Sequence, residues 1–211
     1  MIAGEKAPDF TLQDHTGRMR SLSELLEGGP VVLFFFPLAS SPICTAEACH
    51  FRELGREFKA LGAQRVGVST DTVAKQARFA NQRAFDYPLL SDTRAVVAGH
   101  FGVRRSVLSR MGQALMRRQE IRHGRHARRN FITRLLMATK RSTFVIDTDR
   151  TVLTVISSEL RASMHADLAL KFLRDRRRPK LSEVMPVQRV GNGERIERVR
   201  FTLDGLRSGS I

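Results

Sequence analysis

Cysteine is scarce in this 211-residue chain: there are two, Cys44 and Cys49. Small secreted scaffolds held by disulfides carry more cysteines in fewer residues, so the chain does not read as one of them. Structural zinc needs about four ligands. No second Cys/His pair stands at finger-like spacing, and His50 beside Cys49 is a lone neighbour. No metal or other cofactor is therefore implied. Long apolar runs are missing as well. The longest, Val31 to Phe36, has strand length and falls far short of the ~18 residues that cross a bilayer. Met1-Ile-Ala-Gly-Glu-Lys6 has no basic segment followed by an apolar stretch, so no secretory signal is read there and a cytoplasmic protein is expected. Acidic residues are outnumbered, 21 against 36 Lys and Arg. The imbalance is local: twelve basic residues and one acid, Glu120, lie between Arg104 and Arg141. This is a chain with a basic graft rather than a uniformly basic one.

What is present supports a folded domain. Apolar residues make up 42% of the chain, enough to build a core. Val31-Val-Leu-Phe-Phe-Phe36, ended by Pro37, has the pattern of a central strand covered on both faces. Phe51, Leu54, Phe58 and Leu61 then recur at helical spacing, and Gly62 can close that helix. Arg65 to Ser69 reads as a second buried strand, with a helix starting at Thr70-Asp71 and continuing through Val73, Ala77 and Ala80. Tyr87 to Ser91 reads as a short extended segment before a helix through Val96 and Val97. Ser142 to Asp147 and Thr151 to Ile156 are β-branched runs separated by a turn, the pattern of a hairpin. Leu168, Phe172 and Leu173 mark a last helix. Strands alternating with helices, then a hairpin and a helix, imply an α/β fold with a mixed sheet. Residues 1–178 are expected to form this domain, with the basic segment 104–140 inserted and 179–211 as a C-terminal extension.

Cys44 falls at the expected start of the Phe51-bearing helix. Free backbone N–H groups and the dipole at a helix N-terminus favour a thiolate, the reactive form. A buried structural cysteine fits the same position, so location alone does not decide. The surroundings add more. Pro37-Leu-Ala-Ser-Ser41-Pro-Ile-Cys44 fits the pattern Pro-x-x-x-Thr/Ser-x-x-Cys. With it come Phe34-Phe-Phe-Pro37, Cys44-Thr-Ala-Glu-Ala-Cys49, Phe51-Arg-Glu53, Gly67-Val-Ser-Thr-Asp71, Tyr87-Pro-Leu-Leu-Ser-Asp92 and Arg141-Ser-Thr-Phe-Val-Ile-Asp147, in that order. Together these resemble the peroxiredoxins, closest to the bacterioferritin-comigratory or Q-type subfamily, over roughly residues 2–103 and 141–174.

The resemblance implies a thioredoxin-like fold and a peroxidase that reduces hydrogen peroxide and organic hydroperoxides. It assigns Cys44 as the peroxidatic thiolate, which becomes a sulfenic acid. Ser41 matches the hydroxyl that helps hold the substrate. Pro37 matches the residue that shields the thiolate, and Arg141 the arginine that stabilises it and polarises the peroxide. Glu47 has two readings, an orienting partner in that network or a solvated first-turn carboxylate. Cys49 is similar to the resolving cysteine, which implies a Cys44–Cys49 disulfide recycled by a thioredoxin-like protein or a low-molecular-weight thiol. In an intact helix, positions five apart are separated by about 7.5 Å along the axis. A disulfide needs Cα atoms within about 7 Å, so the first turns of the helix must unwind before the bond forms. A small core residue in a one-cysteine enzyme is the other reading of Cys49.

Some positions depart from the pattern. Ile43 stands where glycine usually precedes the cysteine, which narrows the substrate entrance. Arg150 stands where the hairpin turn usually has glycine. Segment 104–140 is about twenty residues longer than the usual connection. It can pack on the domain, form a homodimer contact or lie on an anionic surface such as a membrane. One aromatic, Phe131, gives base stacking little support, and no specific nucleic-acid partner is expected. The competing function is a redox-sensing or binding protein on the same scaffold, engaging an anionic partner or membrane surface through the insertion.

Overall fold

Backbone preferences and burial place β1 (Thr11–Gln13) against β2 (Met19–Ser21) in an antiparallel hairpin. The hairpin runs directly into α1 (Leu22–Glu27), where the Ser21 hydroxyl caps the helix by accepting from the Glu24 amide at 3.1 Å. The remaining elements are β3 (Val31–Phe35), α2 (Pro42–Glu53), α3 (Gly55–Ala60), β4 (Gln64–Ser69), α4 (Val73–Arg83), β5 (Leu89–Ser91), α5 (Val96–His100), β6 (Ser142–Ile146), β7 (Val152–Ser157) and α6 (Met164–Arg177). This computed structural model describes residues 1–104, 139–158 and 161–177. The helical patches and surface contacts expected within 105–138, and the extension from Pro179, lie outside the described residues.

Five strands form one mixed sheet in the order β5-β4-β3-β6-β7. β3 is central, parallel to β4 and antiparallel to β6. All five of its residues are buried, as an uninterrupted apolar strand requires. Successive side chains point to opposite faces, so the strand feeds two cores. Val31, Leu33 and Phe35 join Leu22, Leu25, Val97 and Ala98 of α1 and α5. Val32, Phe34 and Phe36 join residues of α2, α3, α4 and α6 on the opposite face, Cys44 and Phe51 among them. Phe34 stacks on Phe51 with ring centroids 4.1 Å apart. A side chain at Gly67 would meet the Phe34 ring at 2.9 Å and Leu89 at 2.7 Å, so only glycine lets β4 pass beneath these aromatics.

Two local expectations are corrected. The helix read from Phe51 to Leu61 bends at Leu54, which separates α2 from α3. The Arg65 guanidinium reaches into this bend and donates to the Phe51 carbonyl at 2.9 Å; a side chain entering a helix ladder is a known cause of kinking. Gly55 leaves it room, since a Cβ there would lie 2.8 Å from the guanidinium. The helix expected at Thr70-Asp71 begins after Thr72 instead, which stands at the N-cap position without a side-chain hydrogen bond. Asp71 is occupied elsewhere. On α6 the buried face is His165, Ala166, Ala169, Leu170 and Leu173, while Leu168 is 39% exposed.

The hairpin expected from Ser142 onward is present, with a register shift between Val145 and Ile146. Its turn places Arg150 at φ 68°, which accounts for glycine being usual there. The ends of the basic segment meet: Arg104 and Thr139 form an antiparallel bridge, and the Lys140 amide donates to the Val103 carbonyl at 2.7 Å. Chain continuity thus brings the segment back one residue before Arg141. No helix among the described residues is long and apolar enough to cross a membrane.

Candidate active site

β3 delivers the chain to the site. Past its end the Phe36 amide still donates to the Val68 carbonyl of β4 at 3.0 Å, buried Pro37 follows, and then a turn in which the Ser41 amide donates to the Leu38 carbonyl at 3.4 Å. Ser40 takes the left-handed conformation, φ 66°, unusual outside glycine. Asp71 holds this loop in place. One of its carboxylate oxygens accepts from the Ala39 amide at 2.6 Å and from the Ser69 hydroxyl at 2.9 Å, while the other pairs with Lys75.

Ser41 is the N-cap of α2, and its hydroxyl oxygen accepts from the Cys44 amide at 3.3 Å. That leaves the hydroxyl hydrogen free to donate to another group. Pro42 occupies the first helical position, where a missing N–H costs nothing. Cys44 is fully buried in the first turn, so its sulfur lies at the positive end of a twelve-residue helix. Ile43, beside it in the first turn of α2, is 38% exposed.

Arg141 reaches this sulfur through strand parity. Phe144 and Ile146 face the α1 side of the sheet and Val145 faces α2. Counting back by twos from Val145 puts Thr143 and Arg141 on the α2 side as well. Arg141 Nη2 donates to Cys44 Sγ at 3.3 Å, and Nη1 is ion-paired with Glu47, one turn beyond Cys44 on the same helix. Arg141 is 2% exposed and Glu47 is fully buried. The carboxylate grips one nitrogen of the fork and fixes the other toward the sulfur. Of the two readings of Glu47, the structure decides for the orienting partner.

Behind Glu47 lies His165 of α6, also fully buried. Its Nδ1 is 2.9 Å from the Thr143 hydroxyl and 3.8 Å from Glu47 Oε1, and its Nε2 is 3.1 Å from the Ser158 carbonyl. Burial pushes its pKa down to about 4; the Arg141 charge adds to this, and the bond to Ser158 opposes it. The ring is neutral near pH 7, so Nε2–H donates to Ser158 and Nδ1 accepts from Thr143. Arg141 Nε and Glu47 Oε1 have no partner among the described residues. An ion pair so deeply desolvated is a poor source of stability, and such arrangements concentrate at functional sites.

Cys49 sits on the same unbroken α2, half-buried, and both thiols are free. Next to it the Tyr87 hydroxyl, itself buried, donates to the Ala48 carbonyl at 2.7 Å. Burial pushes the phenol well above its ordinary pKa of 10, keeping it a donor. Arg65 covers the ring, 5.1 Å from its centroid, and pairs with Asp86 at 2.8 Å.

The structure therefore gathers Ser41, Cys44 and Arg141, with Glu47 joining them, while Pro37 is buried just past the end of β3. Cys49 is kept apart from Cys44 by the helix. Asp71, Thr143 and His165 were not assigned roles by sequence reasoning. Asp71 stands in Gly67-Val-Ser-Thr-Asp71, and parity from Val145 could have flagged Thr143, but nothing in the chain near His165 points to Glu47.

A buried thiol, an arginine and a helix N-terminus can carry negative charge through attack on an electrophilic oxygen. Comparison with known proteins agrees with that chemistry. The model of the AhpC/TSA family matches residues 3–155. The crystal structure of the peroxidoxin BcpB from Mycobacterium tuberculosis is 51% identical, with a TM-score of 0.68 over 83% of this chain and 97% of that one. A peroxiredoxin Q structure from Xanthomonas campestris is 25% identical, with a TM-score of 0.61 over 79% of this chain and 90% of that one. The chloroplastic peroxiredoxin Q of Gentiana triflora is 30% identical over 170 residues, 81% of this chain and 65% of that protein.

Proposed function

The chain belongs to the AhpC/TSA family of peroxiredoxins and is a thiol-dependent peroxidase; from that premise we propose that Cys44 is its peroxidatic residue, acting on hydrogen peroxide and organic hydroperoxides. The single observation that carries this reading is the Arg141 Nη2 donor 3.3 Å from a buried sulfur at a helix start. The thiolate attacks the terminal peroxide oxygen, the O–O bond breaks, and the departing oxygen takes a proton and leaves as water or an alcohol. Cys44 becomes a sulfenic acid. Negative charge moves from sulfur to the leaving oxygen, and Arg141 and the α2 amides stabilise it along that path. Ser41 donates its free hydroxyl hydrogen to a peroxide oxygen, and Pro37 shields the thiolate from water. The exposed Ile43 gives the alkyl part of an organic hydroperoxide an apolar wall beside the sulfur.

Cys49 is the resolving residue in this reading. Its thiol attacks the Cys44 sulfenic sulfur, water leaves, and the disulfide is reduced by exchange with a thioredoxin-like dithiol. Two cysteines in 211 residues suit a reducing, cytosolic setting. The alternative of a sensor or binding protein has no observation in its favour among the described residues.

Stopped-flow peroxide consumption by wild type, Cys44→Ser and Cys49→Ser tests the assignment. Cys44→Ser is expected to lose all activity above that of free cysteine. Cys49→Ser is expected to keep the first turnover and lose recycling by thioredoxin. Full activity in Cys44→Ser would end the proposal.

A further inference from the structure

We infer that Tyr87 is a positioning residue for the resolving step: its hydroxyl clamps the part of α2 that must unwind, and so sets how the sulfenic acid divides between disulfide and overoxidation. This rests on the Cys44–Cys49 reading above. Both cysteines lie on one helix, about 7.5 Å apart along its axis, beyond disulfide reach. The turns between them must open before the bond forms. The helix is pinned at its far end, where the Phe51 carbonyl accepts from Arg65 at 2.9 Å and the Phe51 ring stacks on Phe34. Opening is thereby confined to the segment before Phe51, and Ala48 lies inside it.

The Tyr87–Ala48 bond is a tether between that segment and a part of the fold that stays put. Pro88 is followed at once by β5, and Tyr87 packs on Phe34 of the central strand with ring centroids 5.8 Å apart. When α2 opens, the Ala48 carbonyl departs and leaves a phenol that is 4% exposed without its acceptor. That loss raises the cost of opening. The clamp touches neither Cys44 nor Arg141, so it bears on resolution and not on peroxide attack.

Two fates compete for the sulfenic acid. With Cys49 it forms a disulfide and releases water. With a second hydroperoxide it takes an oxygen, becomes a sulfinic acid and releases water or an alcohol. A helix held shut longer favours the second fate. The clamp therefore makes the enzyme sensitive to peroxide excess.

Tyr87→Phe keeps the ring and removes the donor. In single turnovers with hydrogen peroxide followed by quenching and mass spectrometry, the variant is expected to form the disulfide about three- to ten-fold faster, the scale of one hydrogen bond. The sulfinic fraction at excess peroxide falls in proportion, and the rate of peroxide attack does not change. A disulfide rate equal to wild type overturns the clamp while leaving the cysteine pair intact. Wild type that never forms the disulfide overturns the pair and the clamp together. A second readout needs no variant. The chain has no tryptophan and one tyrosine, so its emission reports on Tyr87 alone. Wild-type emission is expected to change with disulfide formation and not with sulfenic acid formation; emission unmoved by both phases overturns the clamp.

Discussion

Arg141 points one guanidinium nitrogen at the sulfur of Cys44 from 3.3 Å, across 97 residues of chain. Its other terminal nitrogen is held by Glu47, so a single buried cation serves a carboxylate and a thiol together. The carboxylate is not a competitor that weakens the site. It sets the angle at which the fork meets the sulfur, and it rides on the same helix as Cys44, so both move with α2.

Replacing the fork tests this arrangement. Arg141→Met is expected to lower kcat/KM for hydrogen peroxide roughly 100- to 1,000-fold, the scale of removing one preorganised donor to developing charge. Arg141→Lys is expected to recover only a small part, because an ammonium is a point charge and cannot hold Glu47 and Sγ with two fixed nitrogens. Stopped-flow rates for the three proteins decide it, and a lysine variant at the wild-type rate would refute the role of the fork.

His165 gives the fold a pH dependence. Its folded pKa of about 4 lies below the ordinary 6.5, so between those values the unfolded chain binds a proton that the folded one refuses. Stability is complete above about pH 6.5 and is lost as pH falls toward 4, by up to about 3 kcal/mol. Asp9, Asp14 and Asp86, whose carboxyls are held below the usual range, act in a separate and more acidic window. Urea midpoints of wild type and His165→Gln between pH 7.5 and 4.5 are the measurement. The variant is expected to be less stable at pH 7.5 and to have a flatter profile; parallel profiles would show that this ring does not stay neutral.

The hairpin turn offers a stabilising change. Arg150 occupies the left-handed region, at about 1 kcal/mol or more for a residue with a Cβ. Arg150→Gly is expected to raise stability by about 0.5–1 kcal/mol, the relief of strain being partly offset by the greater freedom of glycine in the unfolded chain. Denaturant midpoints measure it. A lower midpoint would mean that the arginine side chain contributes more than its backbone costs.

Patterning carried the main elements. The apolar run through Phe36, the hairpin after Arg141 and the helical stripe around Phe51 depend on local periodicity, and each is found close to its expected place. The short hairpin of β1 and β2 escaped because three-residue strands have almost no period to read. The bend at Leu54 escaped because its cause, Arg65, enters from β4. Asp71 looked like a helix start because aspartate favours caps, yet its carboxylate serves the Ala39 amide on a distant loop.

For the site, the cap that Ser41 supplies to α2 was seen only in the structure, while the break at Pro37 and the apolar stripe through Phe51, Leu54 and Phe58 were enough to place Cys44 at a helix start. That much the amino-acid sequence determined by itself. It also determined the separation of Cys44 from Cys49, because both lie on one helix of known rise. The motif Arg141-Ser-Thr-Phe-Val-Ile-Asp147 had already named Arg141; tertiary structure alone decided that Glu47 is buried to hold its fork, that His165 stands neutral behind them, and that Tyr87 reaches Ala48. The reason is physical. Those contacts join residues far apart in the chain, and their geometry comes from sheet register and helix packing, which no local pattern encodes.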